Sequence, residues 1–238
     1  MVLAISMMIV TSASAAIIYD HTFDEGGGAL LGTAEDYSGV LWSNSTYETA
    51  TPVSVFNADG TASSTGGMWL PVSIESGNQY VMTIGGVYGA NWASMGFAEN
   101  NNSAAHNNTA ANGYAWCLVN NVNMSAWLGA KTSNSVFGNS NMGTSSTTND
   151  VQIVLDTTSP LWSVTWSARA SGDTAWNEMG SGTFTANPPI NFAGIAANGT
   201  NTNDFNSFKL EVIPEPTTLG LISVSGSLFL IIRRRMLI

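Results

Sequence analysis

The chain has 238 residues, of which Asn, Thr, Ser and Gly supply 100, and only 9% are charged. That composition excludes a coiled coil, which is built on Ala, Glu, Lys, Leu and Arg, while 44% apolar and 10% aromatic residues exclude full disorder. A formal charge of −10 opposes the phosphate backbone, so no nucleic-acid partner is expected, and a single cysteine, Cys117, excludes an internal disulfide framework.

The chain opens with an apolar run, Met1 to Val10, followed by Thr-Ser-Ala-Ser-Ala-Ala. A short apolar stretch ending in a small-x-small pattern reads as a signal peptide over residues 1–15, although no Lys or Arg precedes it. Residues 16–212 have the size of one domain. Strand-like runs follow one another through this body at Ile17–Phe23, Ser54–Phe56, Met68–Val72, Gln79–Val87, Ala93–Phe97, Tyr114–Val119, Val151–Leu155, Trp162–Ser167, Gly182–Thr185, Ile190–Ile195 and Phe208–Val212. Alternation with period 2 places Tyr80, Met82 and Ile84 on one face, as it does Val151, Ile153 and Leu155, and Phe208 and Leu210. Short alternating strands between Gly-, Asn- and Ser-rich turns predict an all-β antiparallel sandwich with these eight residues buried. Asn100–Gly113, which nearly repeats six residues, and Lys131–Asn149 read as surface loops.

The body offers little catalytic chemistry. It has no G-x-S-x-G elbow, P-loop, dinucleotide fingerprint or zinc spacing, and no carboxylate pair stands out. No catalytic residue is assigned and the body is read as non-enzymatic. His21 lies beside Asp20 and Asp24, but period 2 puts it on the opposite face from both. Cys117, inside an apolar strand, reads as a small buried hydrophobe. Among eight tryptophans, strand context assigns Trp92, Trp116, Trp162 and Trp166 to the core. Trp42, beside Ser43 and Asn44, and Trp127, between polar loops, are expected on the surface, where an aromatic face can stack on a sugar. Calcium is the one cofactor considered, with Asp156 at a strand end and Asp204 in an oxygen-rich segment as weak ligand candidates.

Residues 213–238 form a separate unit: Pro214-Glu215-Pro216, an uncharged run of 14 residues from Leu219 to Ile232, then Arg233, Arg234 and Arg235. Two prolines two residues apart forbid regular helix and predict a stiff, exposed stalk. The apolar run predicts one short membrane helix, and the arginines hold its end in the cytoplasm with the body outside.

The order of these three parts resembles the PEP-CTERM sorting signal of Gram-negative bacteria. The resemblance implies recognition by an exosortase, a membrane enzyme with a cysteine nucleophile that would remove the helix. It also implies transient anchoring in the inner membrane, delivery to the cell surface or extracellular matrix, and association with exopolysaccharide and biofilm. The body resembles concanavalin A-like/LamG-like jelly rolls. The marks are YVMTIGGVYGANWASMGFAEN, VQIVLDTTSPLWSVTW and a last strand FNSFKLEVI pairing back to AIIYDHTF. That resemblance implies neighbouring first and last strands, and often a bound calcium. The expected function is an exported, non-enzymatic surface or matrix protein. The alternative is a carbohydrate-binding module that takes polysaccharide as its partner, with a glycoside hydrolase or lyase on the same fold below it.

Overall fold

The computed structural model describes residues 14–24, 30–44, 61–62, 66–89, 92–101, 113–130, 134–144, 148–197 and 203–215. Every regular element among them is a strand. The first sheet runs, side by side, β1 (Ala16–Thr22), β15 (Ser207–Pro214), β5 (Asn78–Gly89), β10 (Thr148–Asp156), β11 (Ser163–Ala170) and β12 (Asn177–Thr183). Two short strands, β14 (Asn203–Asp204) and β3 (Thr61–Ala62), extend it beyond one end of β5. The second sheet runs β2 (Ser43–Asn44), β4 (Gly66–Pro71), β13 (Phe192–Ala197), β6 (Ala93–Ala98), β7 (Gly113–Asn120), β8 (Asn123–Trp127) and β9 (Ser135–Asn141). All pairings are antiparallel, and the chain crosses repeatedly between the sheets in a jelly-roll path.

The alternation seen in the sequence is what closes the core. Tyr80, Met82, Ile84, Val151, Ile153, Leu155, Phe208 and Leu210 are all buried between the sheets, and Trp162, Val164 and Trp166 join them. The last strand pairs with the first as expected, Ala16 opposite Val212 and His21 opposite Phe208. The strand expected at Ser54–Phe56 and the near-duplicated core of the Asn100–Gly113 loop lie outside the described residues, as does residues 1–13 of the expected signal peptide.

Three expectations change. Lys131–Asn149 is not a loop throughout: it contains β9 and the start of β10. The strand is hard to see because its side chains are half-buried or exposed. β9 lies against β12, where Gly180 leaves the space into which the Phe137 ring packs; a Cβ there would stand 2.8 Å from the ring. The expected strand at Gly182–Thr185 lies earlier, at Asn177–Thr183, and carries those glycines. Finally, Ile213 and Pro214 are not free stalk. They close β15 opposite Gln79 and Asn78, and the Glu215 amide donates to the Gly77 carbonyl at 3.1 Å. The side chains of Pro214 and Glu215 are exposed. Pro216, Arg233, Arg234 and Arg235, with the apolar run between them, lie outside the described residues; among those described, no helix is long and apolar enough to cross a membrane.

The edge strand β1 is closed by a hairpin over residues 30–44, in which Ala34 bridges Leu41. Leu30 and Trp42 anchor it in the core. The buried Glu35 carboxylate accepts the Asp20 amide, the Tyr37 amide at 3.1 Å, and the Ser38 amide and hydroxyl at 2.6 Å each. Asp36 accepts the Thr22 amide at 2.8 Å and lies 3.2 Å from Nδ1 of the fully buried His21. Two outward donors of an edge strand are thus satisfied by carboxylates rather than left as a template for another chain.

One row of residues fixes positions around the rim. Ile213 lies opposite Gln79, Gln79 opposite Asp156, Asp156 opposite Ser163, and Ser163 opposite Thr183. At about 4.8 Å per strand step, Ile213 and Thr183 are roughly 19 Å apart along the sheet on the same rim.

Candidate functional site

The tryptophans expected on the surface are not there. Trp42 is 1% exposed and packs edge-on against Phe208, with ring centroids 5.4 Å apart. Its polar neighbours Ser43 and Asn44 form the edge strand β2, and the indole points inward from it. Trp127 is buried as well: it ends β8 opposite Trp116 and stacks on it at 4.4 Å, interplanar 18°. These two rings, with Trp69, Leu118 and Ala98, make a buried cluster apart from the main core. Neither Trp42 nor Trp127 offers a face to a sugar. Trp92, assigned to the core, is instead 37% exposed and left-handed at φ 58°.

The calcium candidates do not come together. Asp156 and Asp204 lie opposite Gln79 and Tyr88, nine residues apart on β5, or roughly 30 Å at the strand rise. The oxygens of Asp156 are engaged by its own turn: Oδ1 accepts the Thr158 amide at 2.9 Å and hydroxyl at 2.6 Å, and Oδ2 accepts the Gln79 amide at 3.0 Å. Burial alone would push its carboxyl up, but the hydrogen bonds from Thr158 and Gln79 outweigh it and hold it below the ordinary range. Among the described residues no group of three or more His, Cys, Asp and Glu is placed to hold a metal. Among the described residues, then, Asp156 and Asp204 stand at separate places on the sheet and do not share one site. Cys117 is buried as expected, and burial pushes its thiol far up.

The rim does contain a groove that none of these expectations named. It has a volume of about 320 Å³, within the usual range of about 300–1,000 Å³ for small-molecule sites. Tyr114 at the start of β7, Leu128 and Gly129 after β8, and Asn134 before β9 form one side; Thr183, which ends β12, and the segment after it as far as Pro189 form the other. The second side is tied down from beneath. Asn187 accepts the Trp162 amide at 2.9 Å and donates to the Pro160 carbonyl at 2.9 Å, and the Phe184 amide donates to the Trp162 carbonyl at 2.9 Å.

Tyr114 and Phe184 face each other edge-on across the groove at 6.5 Å. The hydroxyls of Tyr114, Thr183 and Thr185 make no hydrogen bond among the described residues, and the lining carries no Asp, Glu, Lys or Arg. Burial pushes the Tyr114 phenol above its ordinary value and the Glu99 carboxylate adds to this, so the group is a neutral donor at physiological pH. The two cationic side chains among the described residues are engaged elsewhere: Arg169 pairs with Asp150 at 3.0 Å and lies over Trp176 at 4.3 Å, and Lys209 pairs with Glu211 at 3.0 Å. The arrangement suits a neutral ligand with an apolar face and several hydroxyls.

Tyr114 reaches the groove because of a β-bulge. On β6, Met95 and Phe97 are two residues apart; their partners on β7, Cys117 and Tyr114, are three apart. Trp116 and Ala115 therefore share Gly96 as their opposite, which turns Tyr114 to the inner side while Trp116 stays with the outer cluster. Gly96, at φ 154°, is required by this crossing, since a Cβ would lie 2.4 Å from the Trp116 Cβ. No periodic pattern announces a bulge, so Tyr114 was not separable from its strand in the sequence; the Pro188-Pro189 pair beside Phe184 was the one local sign of an irregular rim.

No family model matches the chain, and no curated protein does. Solved structures show similar architecture. Arcelin-5, a lectin-like defense protein from Phaseolus vulgaris, has a TM-score of 0.46 and 12% identity over 86% of this chain and 100% of its own. The CBM2 module of the evolved Dit of Lactobacillus casei BL23 phage J-1 has a TM-score of 0.46 and 12% identity over 85% and 98%. Lectin I from Ulex europaeus, solved with the methyl glycoside of α-L-fucose, has a TM-score of 0.44 and 11% identity over 85% and 99%. At such similarity the likeness is one of architecture, and no ligand transfers with it.

Proposed function

We propose that this chain is an exported, non-catalytic surface protein whose β-sandwich binds a neutral saccharide in the rim groove. The observation that carries the binding reading is a set of three accessible hydroxyls, on Tyr114, Thr183 and Thr185, with no protein partner among the described residues, around two aromatic rings and a lining without charged side chains. Sugar rings present apolar C–H faces and many hydroxyls, and they match such a lining. An overall charge of −10 disfavours acidic polysaccharides as the ligand. The test is calorimetric titration with cellohexaose, laminarihexaose, maltohexaose and an oligogalacturonate. Binding of a neutral hexamer, lost in a Thr183→Ala/Thr185→Ala variant with an unchanged unfolding midpoint, supports the reading. Binding to none, or binding that the double variant leaves intact, rejects it.

Export and sorting are the second part of the proposal. The support is the order of parts in the sequence: an apolar leader at one end, and Pro214-Glu215-Pro216, an apolar run and three arginines at the other. In this reading an exosortase removes the C-terminal run and the body passes from the inner membrane to the surface or matrix. Intact-mass measurement of surface material, from cells with and without the enzyme, tests it. Surface protein that retains Arg233 to Arg235 in cells making the enzyme rejects the sorting role.

A further inference from the structure

The structure assigns to Ala115 the role of a positioning residue: its left-handed backbone sets the Tyr114 ring as a wall of the groove. The inference rests on the groove as the binding site and concerns how that site is built. Ala115 is fully buried and sits at φ 48°, a region where a Cβ is disfavoured and where glycine is the usual occupant of a bulge. An unsuitable residue is therefore held in a strained conformation, and the strain lies directly beside the candidate site.

The surroundings explain what the strain accomplishes. The Ala115 amide donates to the Leu128 carbonyl at 3.1 Å, which ties the bulge to a second wall residue of the groove. On its other side, Trp116 is fixed by stacking on Trp127 and by its indole N–H donating to the Gly129 carbonyl at 2.8 Å. Gly129 and Leu128 both line the groove. The bulge is thus fastened at Leu128, Gly129 and Trp127, and Tyr114 is the first residue beyond it. A glycine at 115 would relieve the strain but allow more backbone conformations, and the orientation of Tyr114 would be less strictly set. An alanine methyl restricts the hinge while fitting the core.

Ala115→Gly separates this role from a merely structural one, because relief of a left-handed alanine should raise stability while loosening the site. The expected result has three parts: a higher urea midpoint, faster motion of the Tyr114 ring by aromatic 13C relaxation, and weaker binding of the neutral hexamer, on the order of fivefold. A Tyr114 ring as ordered as in the wild type, or affinity unchanged in the variant, overturns the positioning role. A lower urea midpoint overturns the claim of strain. If the wild type binds none of the hexamers, the binding reading fails, while the ring measurement alone still decides whether Ala115 sets Tyr114.

Discussion

Single side chains in this protein divide into those whose environment follows from period 2 and those set by the bulge. Cys117 belongs to the first group. Its thiol is pushed far up by burial, so in the native protein it is expected to resist a thiol reagent at pH 8 and to react only at the rate of unfolding. Prompt modification of the folded protein would show that the strand is open there. Gly96 belongs to the second group. Gly96→Ala is expected to cost at least about 2 kcal/mol, from overpacking against Trp116 and from the backbone angle, and chemical denaturation would measure it. The same division governs what could be read beforehand. Alternation revealed that Met82, Ile153 and Phe208 were core residues. It could not distinguish a tryptophan facing the main core, such as Trp166, from one in the separate cluster, such as Trp116, nor show that Trp42 beside two polar residues turned inward.

Elements rich in core residues were legible, and polar ones were not. β5, β10 and β15 carry buried apolar residues at alternate positions over most of their length, whereas β9 and β12 are polar or glycine-rich and pack through Phe137 over Gly180. The hairpin over residues 30–44 was also invisible, because its function depends on contacts across sequence: Glu35 and Asp36 satisfy amides of β1. Glu35→Ala would leave buried donors without an acceptor. About 2–3 kcal/mol of stability should be lost, and hydrogen exchange at the Asp20 and Ser38 amides should accelerate. Unchanged protection at Asp20 would mean that the hairpin does not guard the edge. The turn after β10 has a pH signature. The folded-state carboxyl of Asp156 is held below its ordinary value, so its hydrogen bonds stabilise the fold above an unfolded value of about 3.9. That contribution should fade as pH falls from there through the lower folded value. Urea midpoints measured from pH 5 downward should fall less steeply in Asp156→Asn than in the wild type.

At the scale of the molecule, the pairing of the first and last strands was anticipated and is present, with Ala16 opposite Val212. A chain trimmed to residues 14–215 should therefore unfold at the same urea midpoint as the full sandwich. One ending at Asn206 lacks β15, leaves β1 without a partner and should not fold; a cooperative transition in the shorter chain would contradict the sheet order. The row from Ile213 to Thr183 also has a bearing on orientation. The C-terminal segment departs from the rim that carries the groove, roughly 19 Å away, and Glu215 is fastened to Gly77, so there is no slack up to that residue. On the proposed function, a body anchored through this segment would have its groove on the rim nearest the anchor. Ligand would have to arrive through the gap beneath the body, where long or branched polymers are hindered and short chain ends are not. On the proposed sorting route, release of the tail would lift that hindrance, and the same sandwich would then admit longer chains than it does while anchored.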